Sequence, residues 1–216
     1  SSLGAEGGDS GRRDGGDGGE GGSINITCLS SGTRVITGNI KVNGGEAGEG
    51  NNGGDNEDSG KGGNAGKIYL KVDKIKILNS TESIGGLTRN SAGNLGDSPA
   101  GDGGNITIRA NSLINLSSDL NVNGGNGGNA VYTHGSDGGD GGVINLIGLN
   151  LDSEIFTNIL NLNGGSGGDG DDGSNGDYAG AGGSGGSLYL DANVINSLKG
   201  INLVGGEGGS GADAEN

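Results

Sequence analysis

The chain has no methionine and no tryptophan, one proline (Pro99), one cysteine (Cys28) and one histidine (His134). Aromatic residues make up 2% of it, and hydrophobic residues 28%. A conventional globular core needs far more apolar volume than this. With one cysteine there is no internal disulfide, and the strand-like setting of Cys28 predicts a small buried hydrophobe rather than a reactive thiol. No run of about 18 apolar residues occurs, so no transmembrane helix is expected. No signal peptide is recognisable, and the absence of methionine even at Ser1 suggests a processed chain or a segment of a longer one. Proline is too scarce, and glycine too irregular, for a collagen helix.

Positive charge is also scarce: 12 Lys and Arg stand against 27 Asp and Glu, a net charge of −15. This disfavours nucleic acid and anionic membranes as partners. Glycine is abundant instead, with 57 in 216 residues. Such a composition alone suggests disorder, because glycine loses the most conformational entropy on folding. The apolar residues, however, are ordered along the chain.

A hydrophobic–x–hydrophobic triplet follows a glycine stretch at Ile24-Asn25-Ile26, Ile68-Tyr69-Leu70, Ile106-Thr107-Ile108, Ile144-Asn145-Leu146 and Leu188-Tyr189-Leu190. A second triplet precedes the next glycines at Ile40-Lys41-Val42, Leu120-Asn121-Val122, Leu160-Asn161-Leu162 and Ile201-Asn202-Leu203. The second repeat is degenerate here and keeps only Ile84. Between the triplets lies a third apolar patch, such as Val35-Ile36, Ile75 with Ile77, Leu113-Ile114 and Val194-Ile195. Alternation with period two predicts strands with one buried face, and no stretch has a sustained helical period. A unit of about 40 residues cannot bury its apolar face alone, but stacked units can.

The expected fold is therefore all-β: a parallel β-helix, or solenoid, of about five repeats in one repeat domain over 1–216. Glycine half-excursions, 1–23 and 204–216, form its ends. The outward ladders would read Asn25, Tyr69, Thr107, Asn145, Tyr189 and Lys41, Asn121, Asn161, Asn202, with an asparagine column at Asn43, Asn123 and Asn163. Several glycine stretches keep the period GG-x-GG, as at Gly124-Gly125-Asn126-Gly127-Gly128 and Gly138-Gly139-Asp140-Gly141-Gly142. Three residues per turn is the period of a polyproline-II-type helix, so a polyglycine-II-like second layer is expected.

The motif Gly103-Gly104-Asn105-Ile106-Thr107-Ile108-Arg109-Ala110, followed by Leu120-Asn121-Val122-Asn123-Gly124-Gly125, resembles the glycine-rich repeats of large secreted surface proteins and filamentous-haemagglutinin-like adhesins. The resemblance covers residues 21–209. It implies a right-handed parallel β-helix used for adhesion or as an extracellular stalk.

Chemistry is sparse. His134 has no partner at triad or zinc spacing, and the acidic residues fall in glycine loops, so no enzyme and no organic cofactor are expected. Hard cations favour oxygen donors, which makes Asp169, Asp171, Asp172 and Asp177 candidate calcium ligands, although the EF-hand and calcium β-roll spacings are missing. The plainer reading of these acids is solubilising charge. Asn-x-Ser/Thr acceptors occur at Asn25, Asn79, Asn105 and Asn115, of which Asn79 lies in an expected turn. No polar cap sequence is evident at either end. The leading functional expectation is a subunit of an extracellular or cell-surface fibre that partners itself head to tail. The alternatives are a glycan-binding adhesin stalk and an ice-binding or calcium-binding surface; the ice-binding one would want a regular threonine array.

Overall fold

A computed structural model describes residues 1–9, 15–28, 30–36, 38–49, 59–89, 98–130, 134–170 and 178–210. Its elements are all strands: β1 (Ser23–Thr27), β2 (Thr33–Ile36), β3 (Ile40–Lys41), β4 (Lys67–Ile77), β5 (Thr81–Glu82), β6 (Asn105–Leu116), β7 (Leu120–Asn121), β8 (Val143–Gly148), β9 (Glu154–Asn161), β10 (Ser187–Asp191) and β11 (Val194–Asn202). All pairings are parallel, and they stack the chain as a β-solenoid.

The first triplets form one ladder, β1-β4-β6-β8-β10, in which Ile24, Ile68, Ile106, Ile144 and Leu188 are direct partners. The outward column Asn25, Tyr69, Thr107, Asn145, Tyr189 follows in the same register. The middle patch stacks Ile75 on Ile114 and Ile114 on Ile155, with Ile77 on Leu116. Their side chains, with those of the second triplets, close one aliphatic core, where Ile68, Leu70, Ile106, Ile108, Ile144 and Leu146 are buried almost completely. The solenoid and its repeat register are thus those that the period-two pattern implies.

The second repeat departs from the sequence reading. Thr81–Glu82 supplies the second triplet's strand, pairing with Ile40–Lys41 below and Leu120–Asn121 above. Buried Thr81 and Ser83 therefore replace aliphatics in the core, and the Ser83 hydroxyl donates to the Gly66 carbonyl at 2.8 Å. Ile84 is not a triplet residue. Its amide accepts its place in the asparagine column by donating to Asn43 Oδ1 at 3.1 Å. Smaller polar side chains thus hold the coil's register here, Ser83 bonded to a carbonyl and the Thr81 hydroxyl buried without a partner, and an apolar pattern does not mark them.

The glycine stretches are ordered, and they form the second half of the molecule. Each excursion is an outgoing and a returning run. The outgoing runs cover 1–9, 42–49, 83–89, 122–130, 162–170 and 203–210; the returning runs cover 15–22, 59–66, 98–104, 134–142 and 178–186. In the run 162–170 every kind of amide has its own partner. Gly164 and Gly167 donate to Val204 and Glu207 of the next outgoing run, and Gly165 and Gly168 donate to Gly139 and Ser136 of a returning run. The third residue of each period, Ser166 or Asp169, donates to the side-chain Oδ1 of Asn126 or Asn129. Helices of three residues per turn have no internal hydrogen bonds, so such inter-run bonds are what satisfies the backbone. Close approach is what requires glycine: at Gly139 an added Cβ would stand well under 3.0 Å from the Gly101 carbonyl of the neighbouring run.

Candidate functional site

The solenoid offers its two ends, the outer faces of its two glycine layers and the outer face of its sheet. The carboxylates and carboxamides of the glycine layers are structural acceptors. Asn64 Oδ1 receives the Asp102 amide, and Asp102 Oδ1 receives that of Asp140. Asp140 Oδ1 in turn receives that of Ser184. On the outgoing side Asn123 receives Asn163, and Asn163 receives Val204. Each such bond runs from a side chain in one repeat to a backbone amide in the following repeat, about 40 residues on. Asn123 and Asn163 belong to the asparagine column that the sequence placed, with turn and ladder chemistry expected of it; Asn64, Asp102 and Asp140 had no role assigned from sequence. The signal that could have placed them was Asn or Asp at the third position of GG-x, repeated at the repeat spacing.

This bears on the calcium candidates. Asp169 holds the Ser210 amide on Oδ1 at 2.7 Å and the Asn129 amide group on Oδ2 at 3.3 Å, so both oxygens already have donors. Asp171, Asp172 and Asp177 lie outside the described residues. Among the described residues no group of three or more His, Cys, Asp or Glu could hold a metal ion. His134 takes the same place as an asparagine in the ladder: its Nδ1 accepts the Tyr178 amide at 2.8 Å, and the two rings lie 5.1 Å apart.

Of the glycosylation candidates, Asn25 and Asn79 are exposed, on β1 and just after β4 respectively. Asn105 and Asn115 lie half-buried within β6, where strands flank them on both sides. Tyr69 and Tyr189 share one outward column but are separated by β6 and β8.

Cys28 is only half-buried and lies at the β1 end of the stack. The Ser30 hydroxyl stands beside its Sγ, and Arg34 Nε donates to it at 3.0 Å. These neighbours, the hydroxyl first and the guanidinium second, hold the thiol below its ordinary pKa. The sequence reading of a buried small hydrophobe holds in part, since Cys28 packs half-buried against the aliphatic core; it missed Arg34, which reaches back across the turn from β2.

The ends differ from the middle. Among the described residues β1 and β2 pair with β4 on one side and with no strand on the other, and β10 and β11 are likewise paired on one side only. Core-type residues are consequently exposed at both: Ile26 at 42% on one end, and Ile195 at 45%, Ile201 at 39% and Leu203 at 43% on the other.

Neither a protein-family model nor a curated protein matches the chain. Among solved structures it is similar to a nine polyproline type II helical bundle springtail antifreeze protein from Granisotoma rainieri, at 20% identity over 97% of this chain and 91% of that one, with a TM-score of 0.22. At that score the two backbones do not superpose as one fold. The solenoid half of the expected resemblance stands on the structure, and no adhesin relative supports the other half.

Proposed function

We propose that this protein is a structural solenoid that assembles end to end with copies of itself, in an extracellular or cell-surface setting. The observation that carries the reading is the pair of open β ends. Each end presents unpaired strand edges together with exposed aliphatics that lie in the same columns as the buried core. Unpaired edges template further pairing, and a head-to-tail contact that does not close generates a filament. Continued in register, Leu188 and Leu190 of one copy would meet Ile24 and Ile26 of the next, because those residues share columns.

The glycine half adds a condition. Residues 1–9 already lie beside the run 42–49, with Gly4 and Gly7 donating to Asn43 and Glu46. That is the place an incoming run 203–210 takes when the strands continue in register. Assembly therefore exchanges one run for the other. The two runs have matching patterns, Leu3-Gly-Ala-Glu6-Gly-Gly-Asp9 and Val204-Gly-Gly-Glu207-Gly-Gly-Ser210.

Electron microscopy and sedimentation velocity of purified protein test the proposal. Filaments or a concentration-dependent series of rods are expected, abolished by Leu190→Lys and promoted by deletion of residues 1–9. Monodisperse monomer at high concentration, for both the wild type and the deletion, refutes it. A dimer that grows no further would show that the ends meet symmetrically instead.

A further inference from the structure

The outer face of β4 carries Lys67, Lys71, Lys74 and Lys76, all exposed, along one strand. At about 3.3 Å per residue the row is roughly 30 Å long. It stands out in a chain with 27 acidic residues, because the one acid within it is Asp73, next to Lys74, and no acid is a register partner of any of the four lysines. The register partners of Lys67 are Ser23 and Asn105, and those of Lys71 are Thr27 and Arg109. Lys74 is flanked by Thr33 and Leu113, and Lys76 by Val35 and Asn115. The one acid on the strand, Asp73, accepts the Gly32 amide at 2.9 Å and the Asn111 side-chain amide at 3.1 Å.

Elsewhere the fold does neutralise a ladder lysine: Lys41 faces Glu82 across β3 and β5 at 2.7 Å. Among the described residues the ion pairs are that one and those of Arg89 with Glu46 and Glu49, none of which involves the row. The direct Lys71–Arg109 neighbour pair is destabilising, as like charges opposite each other on a sheet are. The Nε of Arg109 is also buried without a partner. Solubility does not require such a row in a molecule of charge −15.

Between Lys67 and Lys71 the ring of Tyr69 lies outward and half-buried, flanked by Asn25 and Thr107. An aromatic face with cations on both sides and hydroxyl and amide groups beside it suits a sugar ring within an anionic chain. The lysine gaps along the strand are about 13, 10 and 7 Å. They suit a polymer whose charges are one or two sugar rings apart, and not a duplex with a phosphate charge every 1.7 Å or so, which the acidic remainder of the molecule would also repel.

We propose that the outer face of β4 binds a linear acidic polysaccharide, its carboxylates or sulfates on Lys67, Lys71, Lys74 and Lys76 and one sugar ring on Tyr69. This reading does not depend on end-to-end assembly.

Affinity electrophoresis of the full chain, with polygalacturonate, dextran sulfate, neutral dextran and poly(dT) as probes, tests it. Retardation by one or both acidic polysaccharides is expected, with none by dextran and weakening as salt rises. The variant Lys71→Gln/Lys74→Gln/Lys76→Gln should bind at least tenfold more weakly with a shallower salt slope, whereas Lys41→Gln binds as the wild type does. Tyr69→Ala should weaken binding without changing the slope, a readout that mere loss of charge would not give. Circular dichroism of the lysine variants checks the fold, and Lys71→Arg/Lys74→Arg/Lys76→Arg should restore binding. The proposal is overturned if the wild type ignores both acidic polysaccharides, if the Gln variant binds equally, or if poly(dT) binds as tightly. It is equally overturned if the lysines prove to act in salt-sensitive self-association, which sedimentation at two salt concentrations detects.

Discussion

The glycine half can be tested with one amino-acid change placed at two positions. An alanine Cβ at Gly139 would stand well under 3.0 Å from the backbone carbonyl of Gly101, and next to that of Ala100. Backbone cannot swing aside as a side-chain tip does, so the runs must part. The bond from the Gly139 amide to Gly125 at 2.9 Å and that from Gly165 to the Gly139 carbonyl at 2.8 Å would then stretch. Overpacking of a filled interior costs roughly 1–3 kcal/mol. Two weakened buried hydrogen bonds add about 0.5–1.5 kcal/mol each. A loss of about 3 kcal/mol lowers Tm by about 6–12 °C in a chain of this size. At Gly8 an added Cβ meets nothing within 4 Å. There the same change only restricts the unfolded chain, and stability should rise by about 0.4–1 kcal/mol. Ala5 occupies the equivalent open position already, receiving the Gly19 amide as Gly125 receives that of Gly139. Thermal and urea unfolding followed by circular dichroism compare Gly139→Ala with Gly8→Ala. Equal effects, or a larger loss at Gly8, would refute a close-packed glycine layer.

Removing a ladder acceptor, as in Asn126→Leu, should cost about 0.5–1.5 kcal/mol and speed hydrogen exchange at the Ser166 amide, whereas Asn126→Asp keeps the acceptor and should change little. Truncating the core at Ile106, as Ile106→Ala, should cost about 2–5 kcal/mol in urea unfolding. The Gly32 amide first, and the Asn111 amide group second, hold Asp73 below the usual carboxylate range. A depressed folded pKa stabilises above the unfolded value, and the gain is lost as pH falls through the folded one; the stability gap between wild type and Asp73→Asn should therefore close on acidification below the usual carboxylate range. The Ser30 hydroxyl and Arg34 favour the Cys28 thiolate, so Ser30→Ala and Arg34→Gln should slow its alkylation by iodoacetamide at neutral pH.

The apolar triplets were enough to predict the solenoid, because period-two alternation repeated at about 40 residues leaves stacking as the one way to bury Ile68, Ile106 and Ile144 together. The pattern breaks at Thr81 and Ser83, where smaller polar side chains take buried aliphatic places. The pattern also read Asp169 as solubilising charge and gave Asp102 and Asp140 no role. Their partners are backbone amides about 40 residues away, and a backbone amide has no signature in sequence. The lysine row was hidden for a different reason. Net charge averages over the surface, whereas register decides which charges are neighbours, and Lys71 beside Arg109 emerges only when β4 is laid on β6.

The two halves of the molecule depend on each other for register. Glycine runs by themselves have no side-chain pattern with which to choose among slips of three residues, since GG-x on GG-x fits equally after each turn. The β half removes that freedom: Ile106 and Leu120 fix where the runs 98–104 and 122–130 start and finish. In return the runs bury backbone that an aliphatic core of this size could not cover, and the Asn and Asp ladders satisfy the third amide of each period. Because every one of those ladder bonds points the same way along the stack, the two ends of the molecule are chemically unlike. The final runs present Ala181, Ser184, Val204 and Glu207 in the ladder position, residues without an Asn or Asp acceptor to pass on. An added copy would gain no ladder bond from those places. A copy added at that end would gain strand pairing, burial of Ile195, Ile201 and Leu203, and backbone bonds between glycine runs of the kind that Gly164 and Gly167 make, but no Asn or Asp ladder bond.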